Sequence, residues 1–253
     1  MKTKFIMKTT LITGATSGIG MATARVFAEK GHKLILCGRR TERLAELKNE
    51  LNTEVHTLTF DVRNREDVFK AIESIPTEFQ DIDILLNNAG NAHGLSTIQD
   101  GNMDDWDAMM DGNVKGLLYV TKAILSGMIQ RNSGFIVNIG SVAAKEVYPN
   151  GNVYCASKHA VDALSKSMRV DLSGNNIRVC AIHPGAVETE FSEVRFKGDK
   201  EAADKVYQGF DALQANDIAE VIEFVTSRPT HVNIEDLVVY PTAQANTTIL
   251  NRK

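Results

Sequence analysis

Cysteine is scarce: Cys37, Cys155 and Cys180 are all that 253 residues contain. An odd count leaves no complete disulfide framework, and reduced, buried thiols are the expectation. Long apolar runs are missing too, since the longest are strand-sized and a membrane span needs about 20 residues. Residues 1–8 carry charge but no apolar stretch of signal-peptide length, so the chain reads as cytoplasmic. A basic surface is also lacking. Lys and Arg are scattered apart from Arg39-Arg40, the net charge is -4 and the pI about 5.9, which leaves no patch to hold a nucleic-acid backbone. Metal-type spacing is confined to Cys155 and His159 at i and i+4, with no second ligand pair, so no metal is expected. Asn246-Thr247-Thr248 matches the glycosylation sequon, but without a secretory entry signal it is expected to be idle. No Pro/Ser-rich linker, composition break or internal repeat divides the chain, and 1–253 reads as one domain.

With 43% hydrophobic and 24% charged residues, a chain of this length can bury one large core. Strands are expected over 9–13, 33–37, 55–60, 82–86, 135–139, 177–182 and 237–240. Helices are expected from about Ile19 to Gly31, over 41–51 with Thr41 as cap, over 64–75, continuously over 103–130, from Tyr154 through Met168, and over 217–226. His183-Pro184-Gly185 is expected to break the sixth strand. The segment 185–210 has no clean period and mixes charges with Phe191, Phe196 and Phe210, as a mobile lid would. Seven strands separated by helices imply an α/β fold: a doubly wound parallel sheet, helices on both faces, ligands at the strands' carboxyl ends.

The residues following those strand ends carry the chemistry. Gly14-Ala15-Thr16-Ser17-Gly18-Ile19-Gly20 joins the first strand to the first helix. Glycine there lets backbone approach a pyrophosphate, and free N–H groups at the helix start supply donors. The spacing is G-x-x-x-G-x-G rather than the G-x-G-x-x-G fingerprint, so plain turn chemistry is an equal reading of this stretch alone. About twenty residues on, an NAD-preferring fold carries an acid. Here stand Arg39 and Arg40, suited to forked contacts with a 2′-phosphate or, alternatively, to a solvated helix entry. Asp61, followed by Val62, could accept from an adenine amino group or cap the next helix. Asn87-Asn88-Ala89-Gly90 puts small and amide residues where ligand and backbone come close. Asn113, a poor helix former within 103–130, is expected to face the site. The stripe Trp106, Met109, Met110, Leu117, Leu118 and Ile124 is core or subunit contact.

Tyr154 and Lys158 stand at i and i+4 in a helical run, so they share a face and can touch. Alone, a tyrosine titrates near ~10 and a lysine near ~10.4; an ammonium beside the phenol would lower the phenol toward acid/base work. Ser141, beyond the 135–139 strand, could bring a hydroxyl to the same point. By itself the pair also fits an amphipathic helix with a solvated lysine. Arg195, beside Phe191 and Phe196, is the candidate anchor for a substrate carboxylate; the alternative is an arginine on the lid's outer face or at a subunit contact.

Taken together, Thr13-Gly14-x-x-x-Gly18-Ile19-Gly20, Asn87-Asn88-Ala89-Gly90, Asn113, Ser141, Tyr154-x-x-x-Lys158 and Pro184-Gly185 make the chain resemble the short-chain dehydrogenase/reductase superfamily over nearly its whole length. The resemblance implies a Rossmann sheet and an oxidoreductase. Tyr154 would be the acid/base, Ser141 would orient the substrate oxygen, Lys158 would hold the nicotinamide ribose and lower the tyrosine's pKa, and Asn113 would support a proton relay. The implied cofactor, NADP by its arginines, would be held by Gly14, Ala15, Thr16, Ser17, Gly18, Ile19, Arg39, Arg40, Asp61, Val62, Asn88, Ala89, Gly90, Tyr154, Lys158, Pro184, Gly185, Val187 and Thr189. A homotetramer is the usual assembly.

Within the superfamily, Gly38-Arg39-Arg40-Thr41-Glu42-Arg43-Leu44, Asn152-Val153-Tyr154, Val194-Arg195-Phe196-Lys197-Gly198-Asp199 and His231-Val232-Asn233-Ile234 look like the bacterial NADP-dependent 3-hydroxy acid dehydrogenases. Those act on serine, allo-threonine and 3-hydroxypropionate or malonic semialdehyde. His183 departs from that group, which often carries an acid before the proline. A reductase of other carbonyls, such as 3-oxoacyl thioesters, is the alternative. A redox sensor that only binds NADPH would need none of Ser141, Tyr154 and Lys158, and a hydrolase built on Ser141 lacks the G-x-S-x-G elbow.

Overall fold

Every residue of Thr9–Thr13 (β1) is buried, as a central strand must be when helices cover both faces of its sheet. The computed structural model describes residues 7–253, so 1–6 of the charged opening segment lie outside the described residues. After β1 come α1 (Gly18–Glu29), β2 (Lys33–Gly38), α2 (Thr41–Glu50), β3 (Val55–Thr59), α3 (Arg65–Glu73) and β4 (Ile82–Asn87). The second half carries α4 (Met103–Met110), α5 (Leu117–Arg131), β5 (Gly134–Ile139), α6 (Asn152–Asp171) and β6 (Ile177–Pro184). It ends with β7 (Val187–Glu188), α7 (Phe191–Arg195), α8 (Lys200–Lys205), β8 (Leu213–Gln214), α9 (Ala215–Thr226) and β9 (Asp236–Val239).

Seven strands pair in the order β3-β2-β1-β4-β5-β6-β9, all parallel. The order reverses between β1 and β4, and at such a switch point the chain leaves in opposite directions and opens a crevice at the carboxyl edge. Side chains alternate between two cores. Ile12, Leu34 and Ile84 face Phe27 of α1 and Ile218, Ile222 and Val225 of α9. Their neighbours Leu11, Ile35 and Leu85 face Val120, Ile124 and Met128 of α5. The i, i+4 spacing of each helical set is what turns it onto the sheet, and each such buried side chain contributes roughly 1.5–3 kcal/mol. Cys37, Cys155 and Cys180 are buried and unpaired. Among the described residues no helix is long and apolar enough to cross a membrane.

Four expectations need correction. The helix foreseen over 103–130 is interrupted by a π turn at Asp111–Gly116, which separates α4 from α5. An added residue in the turn leaves the apolar stripe unbroken on either side, so period alone does not register it. Thr41 does not cap α2: it is the helix's first residue, and its hydroxyl lies 3.2 Å from that of Thr59. Asn64, not Asp61, caps α3 by accepting the Glu66 and Asp67 N–H groups at 3.1 and 3.3 Å. The sixth strand runs two residues past Ile182 and stops at Pro184 opposite Val239, within the His183-Pro184-Gly185 stretch expected to end it. The segment 185–210 is also less irregular than its pattern, holding β7, α7 and α8, with β7 paired to β8 in a separate two-stranded sheet. Elements of two to six residues are too short to show a period.

Candidate active site

A cleft of about 540 Å³ runs along the carboxyl edge of the sheet, and every expected site residue lines it except Ala15 and Asn113. Its floor begins at the turn between β1 and α1. Gly14 and Gly18 have φ of 66° and 51°, a left-handed conformation that glycine adopts without strain. Gly20 is required for a different reason: a Cβ there would stand 2.4 Å from the Gly14 carbonyl oxygen and 2.5 Å from Asn88 Nδ2. Asn88 Nδ2 donates to the Thr13 and Gly14 carbonyls at 2.9 and 3.2 Å, while Thr13 Oγ1 accepts the Asn88 and Ala89 N–H groups at 3.0 Å each. The Asn-Asn-Ala-Gly stretch therefore pins the glycine turn to β4. Ala15, fully buried, fastens the same turn to β2 through its N–H to the Cys37 carbonyl at 3.0 Å. No side chain caps the start of α1 and its first turn holds no acid, so its N–H groups are left for an anion. Tight glycine backbone, open donors and an elongated cleft fit a dinucleotide's pyrophosphate.

Two arginines stand where the 2′-position of such a ligand would be read, and they differ. Arg39 is 58% exposed, with Asp61 at 3.8 Å as its one ionic partner among the described residues. Arg40 is fixed: it donates to the Thr16 hydroxyl at 2.9 Å and to Glu190 at 2.8 Å. Glu190 also accepts from Arg43 at 2.6 Å, and these two guanidiniums hold its carboxyl below the usual range against the opposing effect of burial. Asp61 is gripped by Arg63 at 2.7 Å.

Tyr154 and Lys158 project from the buried face of α6, at 8% and 6% exposure. They lie close without bonding: Lys158 Nζ is 5.9 Å from the centre of the Tyr154 ring and donates to the Ile139 carbonyl at 3.0 Å. The expected lowering of the tyrosine is not found. Burial dominates and pushes the phenol above its ordinary value, while the Ser141 hydroxyl and the Arg195 guanidinium pull the other way. Burial also brings Lys158 down to about 8. Ser141 follows β5, and its Oγ accepts the Ala143 N–H at 3.1 Å. Asn113 sits in the π turn, and its side chain does not face the cleft. It accepts the Asn91 N–H and donates to the Asn91 carbonyl, both at 2.8 Å, and donates to Ser157 Oγ at 3.0 Å. It thereby ties the loop after β4 to α6.

Arg195 faces inward. Its guanidinium carbon lies 5.3 Å from the Tyr154 ring and 5.6 Å from the Tyr148 ring, and Nη2 donates to the Tyr148 hydroxyl at 2.5 Å. Its Nε is buried with no partner among the described residues. The Phe191 ring lies 5.8 Å from that of Tyr154. Sequence reasoning missed Tyr148 and Glu190. Tyr148 lies in the irregular stretch before α6 and Glu190 between two very short elements, so neither belongs to a pattern that spacing could expose. His159, half of the pair with metal-type spacing, sets Nδ1 2.9 Å from the Cys155 carbonyl oxygen of its own helix.

Comparison with known proteins agrees with this geometry. A family model for short chain dehydrogenases matches residues 8–200. The chain is 48% identical over 236 residues to the NADP-dependent 3-hydroxy acid dehydrogenase YdfG of Salmonella typhi, covering 93% of this chain and 95% of that one. It is 47% identical over 238 residues to sulfoacetaldehyde reductase 2 of Chromohalobacter salexigens, with 93% and 94% covered. Among solved structures, the closed form of a serine dehydrogenase complexed with NADP+ superposes with a TM-score of 0.93 at 45% identity, over 97% of this chain and 99% of that one.

Proposed function

The chain belongs to the short-chain dehydrogenase family, and we propose that it is an NADP-dependent oxidoreductase interconverting small 3-hydroxy acids with their 3-oxo acids. Serine, L-allo-threonine and 3-hydroxypropionate with malonic semialdehyde are the candidate substrates. The observation that carries this class is Arg195, a cation lining the cleft against the Tyr154 ring whose described partner is a neutral phenol. An acidic substrate supplies the missing counter-charge. A small aldehyde bearing a sulfonate is a second reading, favoured by the sulfoacetaldehyde reductase relative and served by the same cation.

In this reading the turn from Gly14 to Ile19, with Arg39, Arg40, Asp61, Val62, Asn88, Ala89, Gly90, Pro184, Gly185, Val187 and Thr189, holds the cofactor. Bound NADP or NADPH supplies the hydride acceptor or donor. Tyr154 Oη takes the substrate's hydroxyl proton as the carbinol carbon is oxidised, and returns a proton to the carbonyl oxygen in reduction. Ser141 Oγ already accepts the Ala143 N–H, so its own proton is available to the same substrate oxygen. Lys158 binds the ribose, and its charge favours phenolate once oxidation begins. Asn113 acts by fixing α6 and the loop at Asn91, which keeps Lys158 and Tyr154 in register. The segment 185–210 is the lid, clasped to the cofactor edge by Glu190 and to α4 by the Lys197–Asp105 pair at 2.9 Å.

Initial rates over a panel of 3-hydroxy acids, uncharged secondary alcohols and sulfoacetaldehyde, with NADP and NAD, test the assignment. Activity confined to uncharged alcohols would overturn it. Arg39→Asp is expected to lower the NADP-to-NAD ratio of kcat/KM by roughly 10- to 100-fold, because it removes a charge-assisted contact to the 2′-phosphate and adds repulsion. An unchanged ratio would mean that the 2′-phosphate is read elsewhere. The assembly is read as a cytoplasmic homotetramer, which a solution mass of one protomer would contradict.

A further inference from the structure

Behind Ser141 lies a cluster that the reaction does not use directly. His183, the departure from the usual acid before Pro184, is fully buried in β6. Its ring packs so tightly on Gly140 that a Cβ there would stand 2.3 Å from Nδ1. Nδ1 is within reach of both backbone groups of Ser141, 3.3 Å from the N–H nitrogen and 3.1 Å from the carbonyl oxygen. Nε2 points the other way, without a hydrogen-bond partner among the described residues, 3.6 Å from Asp162 of α6 and 3.7 Å from Asp236 of β9. Lys145 closes the cluster, donating to Asp162 at 3.0 Å and to Asp236.

We propose that His183 is a positioning residue for Ser141, and that the Lys145–Asp162–Asp236 ion cluster fixes which of its ring nitrogens carries the proton. The proposal rests on Ser141 being the donor to the substrate oxygen. With the proton on Nε2, facing the carboxylates, Nδ1 is left as acceptor for the Ser141 N–H. With both nitrogens protonated, Nδ1 becomes a donor. The Ser141 N–H then loses its acceptor, and Nδ1 donates instead to the Ser141 carbonyl, already 3.1 Å away, so the contact that holds the Ser141 backbone moves from one side of the residue to the other. Because Oγ rides on that backbone, its aim at the substrate oxygen follows the ring's charge state, and misplacement by ~1 Å can cost about 10²-fold in rate. Lys145 guards the neutral ring. Burial first, then the Lys145 ammonium, lower the His183 pKa, while Asp236, Asp162 and the Ser141 backbone raise it. Removing Lys145 leaves Asp236 without that cation and Asp162 with Lys166 alone, at 2.7 Å on its other oxygen, so the negative charge facing Nε2 grows and the ring takes a proton at higher pH. The sign follows: activity is full where His183 is neutral and falls as pH drops through its pKa, and losing Lys145 moves that fall upward.

Saturating kcat against pH in purified Lys145→Met, His183→Asn, His183→Leu and Ser141→Ala tests this, with thermal unfolding to check folding. An asparagine amide reaches the Nδ1 position and does not titrate. His183→Asn is therefore expected to stay within a few-fold of wild type and to lack the acidic limb, and His183→Leu to lose roughly 10²-fold in kcat with KM for NADP unchanged. Lys145→Met is expected to move the acidic limb up by about one pH unit or more. A Lys145→Met profile superimposable on wild type, or equal kcat in His183→Asn and His183→Leu, overturns the proposal and leaves His183 as packing. Lys145 is partly exposed, so its variant stays informative if the buried His183 variants unfold. Ser141→Ala separates the two levels: near-normal kcat there removes Ser141 from its assigned role, whereas its collapse beside unaltered His183 and Lys145 variants sinks the positioning role alone.

Discussion

Tyr154→Phe is expected to bind NADP as the wild type does and to lose roughly 10²- to 10⁴-fold in kcat, the range for a positioned general acid/base. The ring stays, so its packing against Phe191 at 5.8 Å is retained and the fold is preserved. Only the proton carrier goes. The direction of the phenol's shift adds a second expectation. Burial holds Tyr154 above its ordinary pKa, so the neutral phenol persists well into the alkaline range. Reduction, which needs a proton to give, is then expected to hold its rate on the alkaline side. Oxidation, which needs phenolate, is expected to climb with pH as the fraction of phenolate grows. Both trends vanish in Tyr154→Phe if this residue causes them. Initial rates in both directions against pH, with cofactor titration by fluorescence, check each part. A variant with normal kcat, or a pH dependence that survives the substitution, removes Tyr154 from its assigned role.

What was legible in the sequence was whatever depends on neighbours along the chain. The seven strands were readable because each is a short β-type run closed by glycine, asparagine, aspartate or proline, and their parallel orientation follows from the helices between them. The cleft was readable because ligand residues collect at strand carboxyl ends, and all but Ala15 and Asn113 of those expected do line it. What was not legible depends on contacts across the fold. Asn113 was singled out as a poor helix former, but its pairing with Asn91 and Ser157 needs the π turn, which period does not encode. The direction of the Tyr154 shift was misjudged because an i, i+4 spacing fixes that two groups are near, not how much water surrounds them. His183 stood out as an odd residue, yet its cluster draws on Lys145, Asp162 and Asp236 from three other elements or loops, and no local pattern links them.

Arg195→Met is expected to lower kcat/KM for 3-hydroxy acids by roughly 30- to 4,000-fold, the consequence of leaving a desolvated carboxylate without its partner at about 2–5 kcal/mol. A small hydroxy acid has few apolar atoms, so its orientation must come largely from its charge. The guanidinium is well placed to supply that orientation, because it lies over the Tyr154 and Tyr148 rings and is steadied by the Tyr148 hydroxyl. Its buried Nε has no partner among the described residues, so the group has unused donor capacity. The same residue also helps hold α7, since its carbonyl accepts the Gly94 N–H at 2.9 Å, but that backbone contact survives the substitution. The linear methionine keeps much of the apolar stem against the rings and removes only the charge and the donors. Uncharged secondary alcohols, which offer nothing to the guanidinium, are therefore expected to lose less than about tenfold. Parallel kcat/KM measurements on a hydroxy acid and on an alcohol of similar size give the ratio that decides. If both fall together, Arg195 supports the proposed lid or a subunit contact instead. The carboxylate would then be read elsewhere in the cleft, and the substrate class would lose the observation that carries it.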